Sequence, residues 1–224
     1  MMQEDKKGFD PNDMYHMFIP QALENNIWHF KNVVSYPKEL VAFINEVDAN
    51  PESYSKITQW SPWTASDNPN IIYGKNKNVL TNSIKENNSG SRLDQKILYI
   101  SNSLKMAFDM CINNYLKSKN IDPENYILPM GEIPIREWAA GSGMGPHCDN
   151  YDGHTTLAFS MIVYLNDDYE GGEIEFPNQG VSIKPQEGSL IVFPSNEPYL
   201  HKVNEVLSGK RYTSHLSVYK GKMV

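Results

Sequence analysis

Between positions 92 and 117 the chain reads RLDQKILYISNSLKMAFDMCINNYLK, with apolar residues at Leu93, Ile97, Ile100, Leu104, Ala107/Phe108, Cys111 and Tyr115. Steps of three and four over roughly six turns predict an amphipathic helix with one buried stripe. A shorter helix is predicted over 37–50, where Pro37 suits the first turn and Leu40, Val41, Ile44 and Val47 share a face. IWHFKNVVS (27–35) alternates as a strand does.

After Asp122-Pro123 the period drops from 3.6 to 2. EIPIREW (132–138), TTLAFSMIVYL (155–165), GEIEF (172–176), VSIK (181–184), SLIVF (189–193) and RYTSHLSVY (211–219) are short, β-prone and separated by turn formers. This predicts an antiparallel, mainly β core of the sandwich or jelly-roll kind with supporting helices. The reading is a single domain, 1–224, with supporting helices, strands and a substrate-side loop in 1–125 and the β core in 126–224. The first ~25 residues are expected to fray as termini do. Residues 51–90, rich in Ser, Asn, Pro and aromatics, are read as a long irregular stretch over one mouth of the core. Its Tyr54, Trp60, Trp63 and Tyr73 form either a satellite core or a substrate lid.

Composition narrows the class. No apolar run approaches the ~20 residues of a membrane-spanning helix. The first residues lack the apolar core of a secretory signal, and Cys111 and Cys148 are the only cysteines, too few for a disulfide framework. A cytoplasmic protein with no membrane partner is expected. The formal charge of −7 argues against a nucleic-acid partner. Of 20 basic residues only Arg92, Arg136 and Arg211 are arginine. In a lysine-preferring chain each invites a reason; Arg92 and Arg136 are read as surface or interface pairing residues.

The candidate chemistry begins at PHCDN (146–150). On a strand, His147 and Asp149 project to one face and can share an ion, while Cys148 points away into packing. A third ligand is available from His201 or His215. Along RYTSHLSVY, Arg211, Thr213, His215 and Ser217 share one face, too polar for packed interior and suited to a cavity wall. Two histidines and a carboxylate on one side of a metal form the facial arrangement of non-haem Fe(II) oxygenases, leaving positions for a chelating co-substrate and O₂. A dicarboxylate that chelates at one end needs a cation at the other, and a planar guanidinium fits that better than an ammonium. AGSGMGP (140–146) lacks dinucleotide-loop spacing and is read as a loop into the ligand strand, and EGGE (170–173) as a tight turn.

Taken with YLNDDYEGGEIEFP (164–177), PQEGSLIVFPS (185–195) and H-x-V-x-x-V-x-x-G-x-R-Y (201–212), these residues resemble the 2-oxoglutarate/Fe(II)-dependent dioxygenases of the prolyl 4-hydroxylase-like family. The likeness covers roughly 130–220. It implies a double-stranded β-helix (jelly roll, cupin-like) and iron ligands His147, Asp149 and His201. It also implies that Arg211 pairs with the C5 carboxylate of 2-oxoglutarate, with Tyr164 reaching the same group. Trp138 stands where many relatives carry a tyrosine beside the iron. His215 and Ser217 stand where relatives carry Thr and Trp, and with Thr213 they are read as cavity or supporting residues. The implied cofactors are Fe(II), 2-oxoglutarate, O₂ and ascorbate as reductant. The implied reaction is hydroxylation of a prolyl residue in a peptide or protein, coupled to decarboxylation of 2-oxoglutarate to succinate and CO₂. Another side chain, a free amino acid or a small metabolite is the alternative within that chemistry. A zinc hydrolase and a non-catalytic jelly-roll binding module are the alternatives outside it.

Overall fold

A computed structural model describes residues 21–24, 26–47, 49, 54–65, 68–86, 90–150 and 156–221. Of the first ~25 residues expected to fray, 1–20 lie outside the described residues, while Gln21–Glu24 form a strand. The first half contributes strands β1 (Gln21–Glu24) and β2 (Ile27–Phe30), helix α1 (Pro37–Val47), and strands β3 (Ser61–Thr64) and β4 (Ile72–Leu80). Helices α2 (Thr81–Glu86) and α3 (Arg92–Ser118) follow. The second half is β5 (Tyr126–Ile127), β6 (Glu132–Trp138), β7 (Met144–His147), β8 (Leu157–Tyr164), β9 (Glu170–Gly171) and β10 (Ile174–Phe176). It ends with β11 (Val181–Ile183), β12 (Leu190–Pro194), β13 (His201–Val203), β14 (Val206–Ser208) and β15 (Arg211–Lys220).

Two main antiparallel sheets face each other. The large one runs β1-β2-β12-β8-β15-β6-β4-β3, with β5 on β15, and the small one runs β11-β10-β13-β7. Period-2 alternation sorts the large sheet's side chains between two clusters. Phe159, Met161, Val163, Leu190, Val192, Leu216 and Val218 point to the helices and join Leu40, Ile44, Leu104 and Phe108. Ile27, Tyr164, Ile191 and Phe193 point the other way, onto Ile174 and Phe176 of the small sheet. The expected mainly β, antiparallel core is therefore present, and the central strands β8 and β12 of the large sheet are buried on both faces. Helix α3 closes the outer face, its start capped by Ser91 Oγ accepting from the Asp94 amide. Among the described residues no helix is long and apolar enough to cross a membrane.

Residues 51–90 depart from the irregular stretch expected. They contain the β3–β4 hairpin and α2, and β4 pairs with β6 over seven consecutive residue pairs from Gly74↔Trp138 to Leu80↔Glu132. IYGKNKNVL is poor in strand formers, so local propensity hid a strand that cross-strand pairing imposes. Gly74 makes the pairing possible: a Cβ there would lie 1.9 Å from the Glu137 carbonyl oxygen. With no side chain on Gly74, Trp63 and Trp138, its partners on either side, meet over it at a centroid distance of 4.7 Å.

Phe108, fully buried between α3 and the large sheet, measures this packing. Phe108→Ala is expected to cost about 3–5 kcal/mol, read as a lower midpoint in urea unfolding with an unchanged slope.

Candidate functional site

The site forms where β7, β13, β8 and the inward face of β15 converge. β13 pairs antiparallel with β7, with His201 directly opposite His147. Residues so placed share a face, and the two imidazoles lie 4.3 Å apart, centroid to centroid. Each ring is turned by a backbone carbonyl. His147 Nδ1 lies 2.9 Å from Gly145 O and His201 Nδ1 lies 3.2 Å from Tyr199 O. With Nδ1 held by a carbonyl, each Nε2 faces Asp149, able to carry a proton to the carboxylate or, when deprotonated, to offer its lone pair to an ion. Asp149 Oδ1 is 3.5 Å from His147 Nε2 and 3.8 Å from His201 Nε2. All three ligand atoms lie within 4.8 Å of one another.

Asp149 reaches this position from just beyond the end of β7, in a bend, not from the strand. Its other oxygen is held separately: Ser160 Oγ on β8 donates to Oδ2, and Ser195 Oγ lies 2.8 Å from Ser160 Oγ. His215 Nε2 approaches the same Oδ2 at 3.9 Å. Burial alone would raise the Asp149 carboxyl, but the His147 hydrogen bond and the neighbouring His215 and His201 hold it well below its usual range. Burial lowers His201, and lowers His215 to about 4 with help from Arg136, so both are neutral near pH 7. His147 goes the other way: burial opposes protonation, but the Asp149 carboxylate outweighs it. Phe176 and Phe193 pack at 5.6 and 4.7 Å from His201 and keep its inner side dry.

Deeper in, Arg211 is 1% exposed at the start of β15. Asn166 fixes the backbone there, donating to Lys210 O and accepting from the Tyr212 amide. The guanidinium lies 4.6 Å from the Trp138 ring centroid and 5.2 Å from that of Tyr164. Arg211 Nε and Nη1 and the Tyr164 and Tyr169 hydroxyls are all buried without an aligned hydrogen bond among the described residues. Burial pushes both phenols up, and the adjacent Arg211 charge restrains the rise. Buried polar groups normally find partners. Four orphaned groups around one cation therefore fit a carboxylate, and the two Nε2 atoms with one carboxylate fit a divalent transition ion.

The remaining expected residues fall into distinct places. Trp138 Nε1–H donates to Thr213 Oγ1 at 3.0 Å, which locks the indole against Arg211. His215 lines both the main cavity and a smaller one beside Pro129 and Glu132, and Ser217 lines the smaller one. Cys148, expected to be packed away, is half-buried and borders the main cavity beside Glu197, because Asp149 lies beyond the strand's end and the alternation does not carry that far. Trp63 and Tyr73 form the cavity's outer wall, while Trp60 turns to the opposite face, near Tyr212. Arg136, expected at the surface, is on the cavity wall. It shares strand parity with Trp138 and sits 4.3 Å over the Trp63 ring. Burial pulls its guanidinium down to about 10, against the Asp149 charge and with that of Arg211, so it stays protonated at neutral pH. The cavity holds about 800 Å³. Ser195 and Tyr169 lie within the quoted motifs without being singled out there, and Ser160 lies in none of them; the parity of Ser160 with Tyr164 along β8 is the signal that points it inward.

Comparison with known proteins bears out the resemblance to prolyl 4-hydroxylase-like dioxygenases. Residues 135–218 match the model of the 2OG-Fe(II) oxygenase superfamily. A PKHD-type hydroxylase of Prochlorococcus marinus (strain NATL2A) is 38% identical over 117 residues, 49% of this chain and 51% of that protein. Human prolyl 3-hydroxylase 2 is 40% identical over 63 residues, 26% of this chain and 9% of that protein. The chain thus spans about half the length, or less, of the curated relatives it matches. A Trichoplax adhaerens prolyl hydroxylase, solved with a hypoxia inducible factor peptide fragment, shares the fold: TM-score 0.58, 17% identity, 88% of this chain and 84% of that one. A viral collagen prolyl hydroxylase from Paramecium bursaria Chlorella virus-1 gives a TM-score of 0.53, 16% identity, and coverage of 88% and 97%.

Ser160 holds the carboxylate without itself offering a ligand. Ser160→Ala is expected to weaken Fe(II) binding by about 10–100-fold while the far-ultraviolet circular dichroism is retained, measured by metal titration under anaerobic conditions. Metal affinity should also fall as pH drops, first as His147, whose value is raised, takes a proton on Nε2, and then at lower pH as His201, whose value is lowered, does the same.

Proposed function

We propose that this chain is an Fe(II)- and 2-oxoglutarate-dependent dioxygenase that hydroxylates a prolyl residue in a peptide or protein. The observation that carries the reading is a three-donor face on the cavity with, behind the cavity-wall residue Trp138, a buried guanidinium whose Nε and Nη1 have no aligned hydrogen bond among the described residues. The superfamily match over 135–218 and the hydroxylase relatives support the oxygenase chemistry. Several fold neighbours are prolyl hydroxylases, one of them solved with a peptide, which supports a peptide substrate.

In this reading His147 Nε2, His201 Nε2 and an Asp149 oxygen hold the iron, and Arg211 with the Tyr164 hydroxyl takes the C5 carboxylate of 2-oxoglutarate. When bound, these groups supply O₂ activation, converting 2-oxoglutarate to succinate and CO₂ and placing one oxygen atom in a substrate C–H bond, with ascorbate as the accessory reductant. The chain's own residues contribute geometry and dryness. Ser160 keeps Asp149 ionised and in place. The Gly145 and Tyr199 carbonyls fix the imidazole tautomers. Trp138, held by Thr213, forms a flat wall that keeps the Arg211 fork in one plane and excludes water from it. Trp63 and Tyr73 border the opening through which a substrate side chain enters.

Arg211→Ala separates the two binding functions. Losing one partner of a buried charge pair costs about 2–5 kcal/mol, so 2-oxoglutarate affinity is expected to fall by at least ~30-fold while Fe(II) affinity stays within about twofold. Equal loss of both would count against the assignment. The reaction itself is tested by incubating the protein with Fe(II), 2-oxoglutarate, ascorbate and proline-containing peptides. Succinate formation together with a one-oxygen mass gain in the peptide supports the reading, and the absence of both overturns it.

A further inference from the structure

Arg136 is a half-buried cation that the chemistry above does not use. Its Nε is buried without a partner, and among the described residues no hydrogen bond or ion pair engages its guanidinium. Its contacts are the Trp63 ring, 4.3 Å away, and the cavity. Asp149 is the nearby acid, but its two oxygens are already directed at His147, His201, Ser160 and His215. Among the described residues that line the cavity, Arg136 and Asp149 are the ones of fixed formal charge.

Charge counting sharpens the point. A divalent ion, the Asp149 carboxylate, the Arg211 guanidinium and a dianionic co-substrate sum to zero. Among the described residues Arg136 then remains as one uncompensated positive charge in a partly desolvated wall, and such charges are disfavoured without a partner. The two guanidinium groups do not share a ligand position. Arg211 lies against Trp138, Arg136 lies against Trp63, and the two indoles meet edge to face at 4.7 Å between them. The anion that completes Arg136 therefore arrives on the other side of the indole pair, in the half of the cavity bordered by His215 and the β3–β4 hairpin.

Resting on the oxygenase reading above, we propose that Arg136 is a substrate-anion subsite: the substrate presents a carboxylate, which the Arg136 fork binds while the neighbouring carbon lies over the metal face. One surplus charge on a planar fork matches a monoanionic carboxylate, and the stacked indole holds the fork in one plane. The carboxylate can come from an acidic side chain next to the target residue or from the α-carboxylate of a C-terminal or free amino acid.

The test compares acid and amide partners of the same probe. N-acetylproline against N-acetylprolinamide represents the α-carboxylate source. A blocked peptide containing Pro-Glu against the same peptide with Pro-Gln represents the side-chain source. Binding to the protein loaded with Mn(II) and 2-oxoglutarate is followed by calorimetry, after the affinities for Mn(II) and 2-oxoglutarate have been measured. In at least one pair the acid is expected to bind at least ~10-fold more tightly, and the pair that shows it identifies the source. Arg136→Gln should abolish that preference, and Arg136→Lys should restore part of it. Both variants should keep 2-oxoglutarate affinity within about twofold of wild type, which also reports that they fold. Equal affinity within both pairs, or no binding by any probe, overturns the subsite while leaving the oxygenase reading intact. Loss of 2-oxoglutarate affinity in Arg136→Gln matching the loss of the acid probe overturns it in favour of a co-substrate role. Failure of the wild-type protein to bind 2-oxoglutarate with metal overturns both.

Discussion

The register between β13 and β7 is the constraint on which the site depends. His201 stands opposite His147 because the small sheet pairs in that register. A slip of one residue would send His201 to the sheet's other face and leave Lys202 in its place. That register is held from outside the site. β10 pairs with β13 and carries Phe176, which packs on Phe193 of the large sheet and on His201 itself. The same apolar contacts that join the two sheets thus set the metal-facing geometry. Asp149, lying beyond the strand, needs its own restraint and receives it from Ser160 and Ser195 on the large sheet. The three donors come from the small sheet and the bend after β7, and the large sheet supplies the restraint on the third.

Polar groups are segregated along the same lines. On the outer face Glu137 is buried but satisfied, accepting from Tyr212 Oη at 2.7 Å and from Lys210 Nζ at 3.2 Å. On the inner face Arg211 Nε and Nη1 and the Tyr164 and Tyr169 hydroxyls lack an aligned hydrogen bond among the described residues. β15 contributes to both arrangements, with Tyr212 to one side and Arg211 to the other. A fold that completes its polar pairs on the helix side and leaves them open on the cavity side has placed its unspent binding capacity where a ligand arrives.

Regular periodicity made the helices and the strands of the core legible: α3 shows steps of three and four, and β6, β8, β12 and β15 read as β-prone runs between turn formers. The likeness carried by His147, Asp149, His201 and Arg211 was equally legible, because the residues lie in ordered local motifs. What stayed hidden has physical reasons. β4 is a strand by pairing and not by composition, so IYGKNKNVL gave no local sign of it. Ser160 is one of several serines and matters only through a partner eleven residues away. Arg136 was noticed for its type but placed at the surface. Its parity with Trp138 along EIPIREW already assigned it to the inner face, and the alternation was the better guide than the general habit of arginines.

The orphaned donors around Arg211 also bear on how long the folded chain survives. A protein that folds around an unpaired buried cation is less stable than the same fold with that cation paired, so a ligand that completes the pair shifts the folding equilibrium by mass action. At a hundredfold excess over its dissociation constant such a ligand adds about 2.7 kcal/mol, a large part of the margin that keeps a domain of this size folded. Supply of a small dicarboxylate would then regulate abundance as well as turnover, because chains left without it open more often and meet proteases sooner.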